Sequence, residues 1–196
     1  RSAIVTVFVA GIRNPHYAAA VDGALDAFGG SRFRLMFQQT GHSDMVGVDV
    51  VASVVPFRPA GIIVTSTVHD RDTRDALARL EVPVVELWGE VHAPIDMMVG
   101  SSPREGGRLM GRHLGAGGFR SVAFCGYAHS RGEARLAGFR EGLAEYGAAP
   151  ALVLTREGTP SVPDGMAALA EILQRLPQCD AIFFGTDLMA LGAMIE

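Results

Sequence analysis

The chain has no lysine: each of its 17 basic side chains is an arginine. This reads as codon bias, with one firm consequence, because the phosphate-cradling GxxxxGK[ST] loop cannot be built without lysine. Cysteine is almost as scarce. Cys125 and Cys179 stand far apart, each at or near the end of an apolar run. That excludes a disulfide scaffold and suits a reducing compartment, so a cytoplasmic protein is expected. The six histidines are scattered without ligand spacing, and neither a metal nor an organic cofactor is called for. No GxGxxG follows the first apolar run, and no GxSxG elbow or HExxH pair occurs. With no legible nucleophile–base pair, an enzyme is not expected. No stretch is apolar for long enough to span a bilayer, and no signal peptide is present. The chain opens at Arg1 and runs straight into a strand-like segment, which reads as a protein whose natural N-terminus lies upstream. A net charge of −4 gives no bulk attraction for nucleic acid or an anionic membrane.

What is there is a long alternation. Hydrophobic residues make up 48% and charged ones 19%, enough for one large domain or two small lobes with packed cores. Apolar runs predict strands over Ile4–Val9, Phe33–Phe37, 61–64, 82–87, Ile95–Val99, Val122–Cys125, Leu152–Leu154 and Ala181–Phe184. Helical periodicity predicts helices over His16–Phe28, from Ser43 and Asp44 to Val55, then Arg71–Leu80, Glu105–Leu114, Arg131–Tyr146, Asp164–Leu176 and from Asp187 onward. Tyr17, Val21, Ala24, Leu25 and Phe28 share one face of the first helix, and Gly29-Gly30 ends it. Short joints between strands and helices argue for parallel sheets covered on both faces. The series restarts near residue 100. The expected architecture is therefore α/β, with two Rossmann-like lobes over 1–100 and 101–196. In such sheets ligands bind beyond the carboxyl ends of strands, where loops meet helix N-termini. The joint "GIRNPHY" at 11–17 lies at such an end. Asn14 and Pro15 there suit the cap and first turn of a helix.

Six segments in order resemble the LacI family of bacterial transcriptional repressors: "NPHYAAAVDGAL", "AGIIV", "VPVV", "GRHLGAGGFRSVAF", "RLAGFREGL" and "DAIFFGTDLMALGAM". More narrowly, "VPVVELWG", "PIDMMVG" and "EGGRLMGRHL" are similar to the subgroup that senses gluconate and related sugar acids. The resemblance implies a two-lobed core like the type I periplasmic sugar-binding proteins, with a small-molecule sugar or sugar-acid effector held between lobes. It also implies operator DNA bound through an upstream helix-turn-helix domain, a homodimer and no membrane. Relative to the family pattern the second lobe stops early, at Glu196. The alternative within the same fold is a periplasmic sugar-binding protein of a transport system.

His16 and Tyr17 match family positions that line the ligand cleft, and Tyr17 offers a flat face and a hydroxyl. Its helical period equally permits a core position. Arg131 and Arg135 lie four apart at a helix start, where two like charges repel each other and oppose the positive helix end. A carboxylate ligand in front of both would relieve that conflict; a solvated face neutralised by Glu133 is the other reading. Arg135 matches the family's effector-contacting arginine in "RLAGF". Asp187 begins a helix, as capping alone would explain, and also matches the family's effector-binding aspartate in "TDLMALGA", with Thr186 where Asn is usual. Trp88, at the end of a strand, either stacks on ligand or packs inward. Glu105 reads as a first-turn acid and no more.

Overall fold

The computed structural model describes residues 2–9, 15–40, 46–65, 68, 70–88 and 93–195, with the His16 side chain outside that description. The chain divides into two units, Arg1–Ser101 and Ser102–Glu196.

The first unit runs β1 (Ile4–Val9), α1 (Pro15–Phe28), β2 (Arg34–Gln39), α2 (Val48–Val54), β3 (Gly61–Val64), α3 (Arg71–Ala78), β4 (Val84–Leu87) and β5 (Met97–Val99). All pairings are parallel, in the order β2-β1-β3-β4-β5. β1 is β-branched at Ile4, Val5, Thr6, Val7 and Val9, and it lies centrally, with Val5 opposite Leu35 on one side and Gly61 on the other. Strand alternation splits its side chains between two cores. Phe8 joins Ile62, Val64 and Val84 beneath Val51, Val54 and Leu77 of α2 and α3. Val7 and Val9 join Tyr17, Val21 and Leu35 on the α1 side.

Two sequence expectations fail here. The second helix does not run from Ser43 and Asp44, which themselves lie outside the described residues. It begins at Val48, because Gly47 is extended (φ −100°, ψ 166°) and Val46 is buried in the core beside Phe8. Leu25 does not join the buried face of α1; it is 48% exposed. At 100° per residue it lies about 80° from Tyr17 around the helix, while Val21, Ala24 and Phe28 lie within about 40°. Pro15 is the first residue of α1, as expected of proline at a helix start; Asn14 lies outside the described residues.

The second unit runs α4 (Pro103–Ala116), β6 (Val122–Tyr127), α5 (Ser130–Ala144), β7 (Leu152–Arg156), α6 (Val162–Arg175), β8 (Ala181–Phe184) and α7 (Asp187–Ile195), with the parallel order β7-β6-β8. All six residues of β6 are buried. One face carries Phe124 with Phe139, Leu143 and Leu114 of α5 and α4; the other carries Cys125 and Tyr127 with Ala168, Ile172 and Met189 of α6 and α7. Full burial of a side chain such as Phe139 is worth about 1.5–3 kcal/mol.

Both helix pairs meet through glycine. A methyl group added at Gly107 or Gly111 of α4 would overlap the carbonyl oxygen of Arg135 or Phe139. Added at Gly138 or Gly142 of α5, it would overlap that of Arg104 or Arg108. Gly165 of α6 and Gly192 of α7 stand in the same relation to Met189 and Val162. Ion pairs flank the α4–α5 seam: Arg104 with Glu141, and Glu145 with both Arg108 and Arg112 at 3.2 Å. Glu105 pairs with Arg108 at 2.7 Å, so it does more than head its helix. These exposed pairs contribute little individually. The close backbone approach decides the geometry.

Candidate functional site

In the second unit the carboxyl ends of β6 and β8 feed the N-termini of α5 and α7. Arg135 is part-buried, and its Nη1 donates to the Gly185 carbonyl at 2.8 Å; the Gly185 N–H in turn donates to the Cys125 carbonyl at 2.7 Å. The guanidinium is thus tied to the turn that delivers Thr186 and Asp187. Burial, and then the positive charge of Arg131, push Arg135 below its ordinary pKa, while Asp187 opposes the shift. The like charge expected from the i,i+4 spacing thus reaches Arg135, and Asp187 acts on it in the opposite sense. Asp187 is exposed, as a ligand-facing or a purely capping residue would be. Beside it, the Thr186 hydroxyl is buried with no hydrogen-bond partner among the described residues. Arg131, Arg135 and Asp187 come together on one rim.

Two further groups on this rim escaped sequence reading. His129 caps α5, its Nδ1 accepting from the Gly132 N–H at 3.0 Å. Its ring stacks on Tyr127, with centroids 6.4 Å apart. The Tyr127 hydroxyl donates to Asp164 Oδ2 at 2.7 Å, and the Ser161 hydroxyl bonds the same oxygen. Burial and the Asp164 carboxylate raise the Tyr127 pKa above its ordinary range. The Ser161 and Tyr127 bonds hold Asp164 below its ordinary 3.8. The Ser161-x-x-Asp164 spacing was the available signal, a capping pattern; its link to Tyr127 spans 37 positions.

This network carries a pH prediction. Asp164 has a depressed folded-state pKa, so its contribution is complete above the unfolded value near 3.8 and fades as pH falls through the lower folded value. Asp164→Asn should therefore be less stable than wild type near neutrality, with the gap closing as pH falls below 3.8. Denaturant midpoints across that range check it; a constant gap would remove the carboxylate's charge from the account.

In the first unit Tyr17 and Trp88 meet edge to face, ring centroids 4.8 Å apart and planes at 64°. Tyr17 is 8% exposed, and its ring packs among Val7, Val9 and Val21. Trp88 is half-buried and adopts a left-handed backbone (φ 58°), a conformation costing a non-glycine residue about 1–2 kcal/mol. Its N–H donates to the Val99 carbonyl at 2.9 Å. His16 belongs to α1 by its backbone. A cavity of about 410 Å³ lies between α1 and the sheet, lined by Val21, Ala24, Ile63, Val85 and Leu87 among others. Neither Tyr17 nor Trp88 is among the described residues that line it. Among the described residues no cluster could hold a metal ion, and no helix is long and apolar enough to cross a membrane.

Parallel sheets with helices on both faces, and polar side chains gathered where strands end, define a ligand-binding α/β fold of the periplasmic-binding-protein kind. Residues 7–196 match the family described as periplasmic binding proteins and sugar binding domain of LacI family, and the chain belongs to it. The HTH-type transcriptional regulator GntR of Escherichia coli K12 is 23% identical over 196 residues, covering all of this chain and 59% of the relative. A LacI family transcriptional regulator from Silicibacter pomeroyi superposes with a TM-score of 0.87 at 29% identity, over 98% of this chain and 73% of that one. The transcription regulator GntR from Chromobacterium violaceum gives 0.87 at 24%, covering 98% and 71%, a likeness of fold. The chain thus spans about three fifths of the length of the curated GntR relative.

Proposed function

We propose that this chain is the effector-binding core of a cytoplasmic LacI-type transcriptional repressor whose effector is a sugar acid of the gluconate class. The observation that carries the reading is that Arg135, part-buried and bonded to the Gly185 carbonyl, stands within electrostatic reach of both a second arginine, Arg131, and Asp187 on one rim. An anionic ligand group would meet these guanidinium groups through charge-assisted hydrogen bonds. Asp187 would accept from sugar hydroxyls, and the Thr186 hydroxyl is a further partner. His16, Tyr17 and Trp88 are the ligand contacts proposed for the first unit; Tyr17 is buried against Trp88, so Trp88 is the ring that offers its face to the apolar side of a sugar. Effector binding would favour one arrangement of the protein and so change operator affinity through an upstream helix-turn-helix domain, in a homodimer. The named relatives are transcriptional regulators, which favours this reading over a transport binding protein.

Calorimetric titration of the full-length gene product tests it. Gluconate and its phosphate should bind, while glucose and galactose should not. Binding of neutral hexoses without the acids would sink the two-arginine argument.

A further inference from the structure

Glu86 is fully buried in the middle of β4, on the face that also holds Val84, Ile62 and Leu77. A carboxylate in such a place is stable only when its oxygens are hydrogen-bonded and its charge is paired. Oε1 accepts the Val68 N–H at 3.0 Å, and Oε2 accepts the Ile95 N–H at 2.8 Å. Arg74 of α3 lies 3.7 Å from Oε1. Its own N–H groups donate to the Val68 carbonyl at 3.1 Å and the Ala93 carbonyl at 2.7 Å. One pair of opposite charges therefore grips the same two segments from both sides. Glu86 takes their amides and Arg74 their carbonyls, and Val68 is held at both ends.

Val68 lies in the joint between β3 and α3, and Ala93 and Ile95 lie in the crossover that leads into β5, whose Met97 pairs with Val85. Trp88 stands two residues beyond Glu86, in its left-handed turn and against Tyr17. We propose that Glu86 and Arg74 are a buried positioning clamp: they fix the β3–α3 joint and the crossover into β5, whose Val99 carbonyl takes the Trp88 backbone N–H, and so hold Trp88 in the arrangement that receives the ligand. The ligand half of this rests on the function proposed above. A core built for stability alone is served at least as well by apolar side chains at such a site. What the ion pair adds is fixed geometry, because each partner must satisfy two chain segments at once.

Trp88 is the only tryptophan of the chain, so its fluorescence reads the rim directly. The variants are Glu86→Gln and Arg74→Met in the full-length protein, with Ile172→Val in the other unit's core as a control for general destabilisation. Both clamp variants should roughly double acrylamide quenching of Trp88 and speed amide exchange at Val68 and Ile95 by about tenfold or more. Their gluconate affinity should fall by about tenfold or more. The control should lower the melting temperature and leave Trp88 quenching as it is. Unchanged quenching and exchange in both variants would overturn the clamp, whatever the wild type binds. Altered quenching with wild-type gluconate affinity would overturn its positioning role. If the wild type binds no sugar acid while quenching and exchange change as stated, the clamp stands and the ligand reading falls.

Discussion

Gly138→Ala should destabilise the second unit by about 3 kcal/mol or more, beyond the usual range for overpacking. Most overpacked side chains find relief by turning to another rotamer. The methyl group here has none, because what it meets is the Arg104 carbonyl, a backbone atom fixed by α4. Relief requires α4 and α5 to part, and parting unmakes the contacts of Phe139 and Leu143, both fully buried. Gly107, Gly111 and Gly142 sit in the same seam, so the effect should recur at each. Gly106 is the control. It is on the exposed side of α4 with open space around it, and alanine there should be neutral or stabilising by up to about 1 kcal/mol. Chemical unfolding curves measure both. A Gly138→Ala protein as stable as wild type would show that the seam is looser than described. The consequence reaches the site, since the carbonyl abutting Gly107 belongs to Arg135 itself.

Arg135→Gln should weaken sugar-acid binding by about 1.5–3 kcal/mol, roughly 10- to 150-fold in Kd. Arg135 donates one N–H to the Gly185 carbonyl, which anchors the guanidinium, and its fork carries further N–H groups that can serve a ligand. Glutamine can keep a single bond to Gly185 but brings neither the charge nor the fork. Arg135→Lys keeps the charge and should recover only part of the loss, because an ammonium cannot make two parallel bonds to one carboxylate. Asp187→Asn should act differently: it removes the counter-charge, so the acid end of the ligand is held as before while sugar-hydroxyl recognition weakens. Calorimetry on the three variants separates these outcomes. Unchanged affinity in Arg135→Gln would place Arg135 outside the site and leave its bond to Gly185 as its whole role.

The strands and helices were legible because their periods are local. β1 and β6 are short apolar runs, and α5 carries Leu136, Phe139 and Leu143 at helical spacing. The failures were also local in cause. Ser43 and Asp44 look like a helix start, yet buried Val46 and extended Gly47 delay the turn to Val48. Leu25 looks like a core residue until the angular width of the α1 contact is known. Arg131, Arg135 and Asp187 were named from spacing and resemblance. That they stand within electrostatic reach of one another depends on β6 and β8 being neighbours, which no single segment states.

Sequence by itself thus determined the alternation of elements, the parallel α/β class, the absence of metal-site and nucleotide-loop signatures, and the arginine pair four residues apart. Each follows from composition or from a short local pattern. Tertiary structure alone decided what Glu86, Tyr127 and the seam glycines do. An acid within "VPVVEL" is a visible oddity, but its partners lie 12 positions before it in Arg74, 18 before it in Val68 and 9 after it in Ile95. The glycines of α4 and α5 read as weak helix formers until two backbones come together on them. Burial and close approach belong to pairs of distant residues, and a linear pattern carries no record of which pairs will meet.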